Sequence, residues 1–224
     1  MTAVTGIRQP LFTRAKSLNV TLNREDYLLV IWEYIESFDK VSEKELATRL
    51  GISPPTAHEY LIKLSEDGLV DKDGKKISFT SAGRNAALKL VRMHRISEVF
   101  AYRFLEISWE DTHAAVMELE HIFSGDRGEK LFKNLGYPDS CPHGNPTDPD
   151  IKIREVPLSI APEGKYQIKR IVFEDRGLLR ELASIDAIPG TQVQVIRGDD
   201  LRIENQNGEL KIPYNITMSL RLYK

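Results

Sequence analysis

Two histidines, a methionine and a glutamate stand at positions 113, 121, 117 and 120 of the stretch HAAVMELEH. At about 100° per residue, one helix would gather His113, Met117, Glu120 and His121 into an arc of roughly 100°. Imidazole, thioether and carboxylate converging on one face are donors for a divalent transition metal. A second pair, His94 and Glu98, is spaced four apart in MHRISE and faces one way on the preceding helix. One histidine on an apolar face is usually a core residue, and Met117 alone is usually a gap-filler. Three histidines and two glutamates at helical spacing point instead to metal binding. Cys141 and His143, two apart in CPHGNP, are too few for a site of their own, and that proline-rich loop reads as a structural connection.

The elements that must position these residues fall into three regimes. From Asn23 to about Ser124, apolar residues recur at three and four, a helical pattern. The stretch GYPDSCPHGNPTDPD then breaks the period with prolines, glycines and aspartates. Beyond it, YQIKRIVFE, TQVQVIR, LRIENQ and ITMSLRLY alternate as the strands of a small β-barrel. The domains expected are a basic arm over 1–22, a DNA-binding unit over 23–82, a helical unit over 83–142, a linker over 143–157 and a barrel over 158–224.

The DNA-binding unit is read from VSEKELATRLGISPPTAHEYLIKLSEDGLV. Ser42 and Glu45 form a capping box, Gly51 sits at a turn, and Ser53 caps a second helix whose first turn accepts Pro54 and Pro55. Leu61 and Leu64 face the first helix, which leaves Thr56, His58, Glu59 and Lys63 outward. This is a helix-turn-helix with a recognition helix over 53–67. LVDKDGKKISF supplies a hairpin around Asp73-Gly74, so the unit is a winged helix with Lys72, Lys75 and Lys76 near the DNA backbone. Ser53, Pro55, Thr56, His58, Glu59 and Lys63 are the expected DNA contacts of the recognition helix. Residues 1–24 hold Arg8, Arg14, Lys16 and Arg24 and no acidic residue, a short arm suited to phosphates.

Composition excludes other classes. With 41% hydrophobic and 29% charged residues over 224 positions, the chain is an ordinary globular protein of more than one domain. It has no run of 18 apolar residues, so no membrane partner is expected. Its single cysteine fits a reducing cytoplasm. A metalloenzyme is not indicated, because the spacing is not His-Glu-x-x-His and no nucleophile or phosphate loop accompanies it. A winged-helix regulator sensing an organic ligand is the alternative from another class.

In this order, the winged helix, MHRISE, HAAVMELEH, CPHGNP and the terminal strands resemble the diphtheria toxin repressor family of metal-dependent regulators over residues 23–224. The resemblance implies an α+β multidomain fold: a winged helix-turn-helix, a helical metal-binding and dimerisation domain, and an SH3-like (FeoA-like) barrel. It implies a repressor that binds double-stranded operator DNA as a homodimer when loaded with metal. A primary site would comprise Asp26, Met117, Glu120 and His121. An ancillary site would comprise His94, Glu98 and His113, with Glu174 or Asp175 reaching back from FEDRG. Iron-type members carry Met and Cys at the positions of Asp26 and Met117, whereas manganese-type members carry carboxylates at both and a third where Leu29 stands here. The thioether favours Fe2+, with Mn2+ as the alternative and Ni2+, Co2+ or Zn2+ as substitutes in vitro.

Overall fold

The computed structural model describes residues 23–73, 76–117, 119–123 and 125–224, without the side chains of Glu120 and His121. Among the residues expected to contact DNA or metal, Arg8, Arg14, Lys16 and Lys75 and the side chains of Glu120 and His121 therefore lie outside what is described.

Helix α1 (Arg24–Phe38) starts from a capping box. The Asn23 side chain accepts from the Glu25 and Asp26 amides, and the Asp26 carboxylate accepts from the Asn23 amide at 2.7 Å. Ser42 and Glu45 cap α2 (Glu43–Leu50) in the same reciprocal way. The helix stops at Gly51, whose φ of +67° would strain any residue with a Cβ. Ser53 caps α3 (Pro54–Glu66). Leu46, Ala47, Leu61 and Leu64 bury the contact between α2 and α3, and strands β1 (Val70–Asp73) and β2 (Lys76–Phe79) pair antiparallel as the wing.

The 24-residue α4 (Ser81–Phe104), about 36 Å long at 1.5 Å per residue, is the spine. Its first half puts Ala87 and Val91 into the core of the winged helix. Its second half puts Met93, Ile96 and Val99 against Leu135 and Cys141. Short helices α5 (Thr112–Val116) and α6 (Leu119–Ile122) and then α7 (Asp126–Asn134) pack beside it. The described part of HAAVMELEH falls in α5 and α6, with Met117 just past the end of α5 in a right-handed helical conformation, so the arc expected of His113, Met117, Glu120 and His121 lies partly outside what is described.

The C-terminal domain is a six-stranded antiparallel sheet in the order β3-β8-β4-β5-β6-β7. Its strands are β3 (Val156–Pro157), β4 (Gly164–Ile171), β5 (Gln192–Arg197), β6 (Leu201–Asn205), β7 (Gly208–Lys211) and β8 (Leu220–Tyr223). Helix α8 (Arg176–Ser184), which the alternation gave no sign of, buries Leu178, Leu179 and Leu182 in its core. Trp109 of the helical region enters the same core, and its indole N–H donates to the Pro142 carbonyl at 2.8 Å. Among the described residues no helix is long and apolar enough to cross a membrane.

Candidate metal centre

Glu98 on α4 is fully buried, and the other donors gather around it. His94, one turn earlier, brings Nε2 to 3.3 Å from Glu98 Oε1. His113 on α5 places Nδ1 3.0 Å from His94 Nε2 and 2.8 Å from Glu174 Oε2. Of the two acids expected to reach back from the barrel, Glu174 does so. Asp175 instead caps α8 by accepting from the Leu178 amide.

Two further donors come from the loop between helices and sheet. His143 places Nδ1 3.3 Å from Glu98 Oε1 and 3.2 Å from Glu174 Oε2, and buried Cys141 joins Glu98, His143 and Glu174 in a second group. The reading of CPHGNP as only a connection missed this. The loop is held onto β4: Asn145 Nδ2 donates to the Ile171 carbonyl and to Glu174 Oε1, both at 2.7 Å, and the Ile171 amide donates to the His143 carbonyl. Gly144 is required there, because a Cβ would stand 2.3 Å from the Lys169 carbonyl oxygen. His94, Glu98, His113 and Glu174 form one set and Glu98, Cys141, His143 and Glu174 the other, with the donor atoms of each within 4.8 Å of one another.

These contacts are close but poorly directed. Both oxygens of Glu98, Oε2 of Glu174 and Nδ1 of His143 are buried without a hydrogen-bond partner. Leaving such groups unsatisfied costs about 1–3 kcal/mol each. Donors on opposite sides of an ion bound at 2.0–2.3 Å stand about 4–4.6 Å apart, so the spread fits one cation per set. His143 Nε2 lies 3.0 Å from the Trp109 carbonyl, which can only accept, so Nε2 carries a hydrogen, and release of the Nδ1 proton would aim a lone pair inward. Histidine nitrogen, carboxylate oxygen and one sulfur suit a divalent transition metal.

Burial works against charge on Glu98, yet His143, His113 and His94 hold its carboxyl well below the usual range. Burial likewise opposes charge on His143, and Glu174 and Glu98 override it, so the imidazole titrates well above its ordinary value. Burial pushes the Cys141 thiol up to about 12. Protons on these groups stand where a metal would, and binding would release them.

Of the other expected set, Asp26 and Met117 are described. Asp26 is buried at the start of α1, and Met117 is half-buried and packed against the core of the winged helix. Ser53, Pro55, Thr56, His58, Glu59 and Lys63 of the recognition helix are exposed, as are Lys72 and Lys76 of the wing. Glu43, which sequence reasoning did not single out, accepts from His58 Nδ1 at 3.0 Å and from the Lys72 ammonium, joining α2, α3 and the wing.

Three family models cover the chain in order: the iron dependent repressor N-terminal DNA binding domain over 19–77, the iron dependent repressor metal binding and dimerisation domain over 80–149, and the FeoA domain over 156–221. The chain is 28% identical to the iron-dependent repressor IdeR of Mycobacterium leprae over 189 residues, 76% of this chain and 82% of that one. The crystal structure of T. acidophilum IdeR superposes with a TM-score of 0.81 at 25% identity, covering 91% of this chain and 98% of that one. A manganese-dependent transcriptional repressor in complex with manganese superposes with a TM-score of 0.76 at 32% identity, covering 89% and 98%.

Proposed function

Since the chain belongs to the family of iron-dependent repressors, which includes the diphtheria toxin repressor, we propose that it binds operator DNA as a homodimer when loaded with Fe2+ and represses transcription there. It is a DNA-binding regulator and not an enzyme. The observation that carries the reading is the convergence of buried donor atoms at the junction of α4, α5, the CPHGNP loop and the sheet, where both oxygens of Glu98, Glu174 Oε2 and His143 Nδ1 have no hydrogen-bond partner. When bound, a divalent cation supplies to the two buried carboxylates the positive charge that imidazole protons supply in its absence.

His94, Glu98, His113 and Glu174 would hold the ion of the ancillary site, with Cys141 and His143 as the further donors of an adjoining set. Asp26, Met117, Glu120 and His121 would form the primary site. Asp26 opens α1, which packs on α4 and α2, so its capture would fix the angle of the winged helix. Only a state bound more tightly by the metal can be favoured in this way. Exposed Tyr102, Phe104 and Leu105 at the end of α4, with Ile122 on α6, supply an apolar face for the second copy. Two recognition helices would then enter major grooves about one helical turn apart, or a multiple of it. Such a regulator works in the cytoplasm, where the DNA is.

Manganese is the second reading, supported by the carboxylate of Asp26 at the start of α1, a harder donor than a thioether. Anaerobic titration of duplex binding with Fe2+ and Mn2+ tests both readings, using the tightest duplex selected from a random pool by the metal-loaded protein. Fe2+ should activate at the lower concentration, and Met117→Leu should weaken activation while costing the core under about 1.5 kcal/mol. Duplex binding that ignores both metals and chelator would exclude the repressor reading.

A further inference from the structure

Arg49 stands in the last turn of α2, within the helix-turn-helix, yet its guanidinium reaches the metal centre. Its Nη2 lies 3.1 Å from Glu33 Oε2, 3.3 Å from His113 Nε2 and 3.3 Å from the Glu174 carbonyl oxygen. Its Cζ also lies 4.7 Å from the ring centre of Phe173. One side chain of the reading unit thus touches α1, α5 and the C-terminal domain, and two of those contacts are to candidate ligands. His113 completes the link: Nδ1 faces Glu174 and His94, while Nε2 faces Glu33 Oε1 at 3.3 Å. A ligand histidine whose outer nitrogen meets a carboxylate is oriented by that carboxylate.

We propose that Arg49 is a positioning residue that couples loading of the buried centre to the helix-turn-helix, with Glu33 as the intermediate. The inference rests on the metal-dependent DNA-binding reading above. Any shift of His113 or Glu174 on loading changes the contacts Arg49 can make, because a guanidinium only donates and its fork is rigid. Gly51 ends α2 two residues later and α3 starts at Pro54, so displacement of Arg49 is carried to the recognition helix across a short turn. Arg49 has 17% of its side chain exposed and Glu33 only 9%, so the pair is little screened by water.

The test uses the full chain with Co2+ as the probe metal and two readouts. The first is the stoichiometry and d–d absorption spectrum of Co2+ without DNA. The second is the ratio of duplex affinity with and without Co2+, for the duplex selected by the parent. For Arg49→Met the spectrum and stoichiometry should match the parent, while the metal-dependent gain in duplex affinity falls about tenfold, within the usual range for coupling between sites. Arg49→Lys, which keeps the charge but not the fork, should recover only part of the gain, and it carries the test should Arg49→Met not fold. An undiminished gain in either variant overturns the proposal. So does loss of a bound Co2+, which would make Arg49 a structural support of the site. A parent that shows no gain refutes the repressor reading instead.

Discussion

Two buried polar clusters lie between the helices and the C-terminal sheet, and the chain completes one of them but not the other. In the first, Glu36 of α1 takes Arg95 of α4 at 2.6 Å and Arg170 of β4 at 2.7 Å, and Arg170 turns its other edge to Glu155 in two bonds of 2.8 Å. Arg221 of β8 donates to the Glu36 and Ser37 carbonyls and so finishes the end of α1, and its Nε lies 3.8 Å from Glu155 Oε1. Burial works against the Glu36 carboxylate, yet Arg95 and Arg170 hold it below its ordinary range. In the second cluster three imidazoles and two carboxylates converge with four polar atoms unpartnered. Guanidinium forks match carboxylates two bonds at a time, so the carboxylates of the first cluster are satisfied by the chain itself, and Arg170 Nη1 has a further bond to Asn145 Oδ1 at 3.3 Å. Imidazoles each offer one lone pair along one direction, which suits a central ion better than one another.

The sharpest way to break this comparison is Arg170→Met. Removing one partner of a buried ionic network leaves Glu36 and Glu155 uncompensated, and the expected loss is about 3–5 kcal/mol in urea unfolding, the same with metal or chelator. A loss that metal fully repairs would mean that the two clusters are one system.

Metal should act on the second cluster alone. At a free metal concentration 100 times the dissociation constant, the linkage gain is about 2.7 kcal/mol. Glu98→Gln should lose most of that gain and, without metal, cost less than Arg170→Met. Differential scanning calorimetry with and without Mn2+ reads both. A Glu98→Gln protein stabilised as much as the parent would remove Glu98 from the centre.

The smallest effect is on pH. His143 and His113 titrate above their ordinary value in the metal-free protein, so their contribution to stability is present below about pH 6.5 and is lost as pH rises through their folded values. Metal must displace those protons, so its affinity rises over the same interval. The melting-temperature gain on adding Mn2+ should therefore widen from pH 6 to pH 8. A gain that is flat or narrows over that range would mean the imidazoles are not ligands.

Much of the frame follows from local rules. The capping boxes of Asn23 with Asp26 and of Ser42 with Glu45, the left-handed Gly51 and the prolines opening α3 act within four residues, so their meaning is readable in the chain. His94 and Glu98 meet because one regular helix carries both.

What the sequence by itself determined, then, is the donor types, the winged helix and the pairing along α4, since each depends on neighbours a turn or less away. Only the tertiary structure decided that Glu174 and not Asp175 reaches the centre, that Cys141 and His143 join it, and that Arg49 leaves the reading unit to touch it. Those choices are made by a loop docked on β4 and by contacts between residues as far apart as Arg49 and Glu174. Such contacts have no period and no local signature. They are selected by burial, where a polar atom must find a partner or an ion.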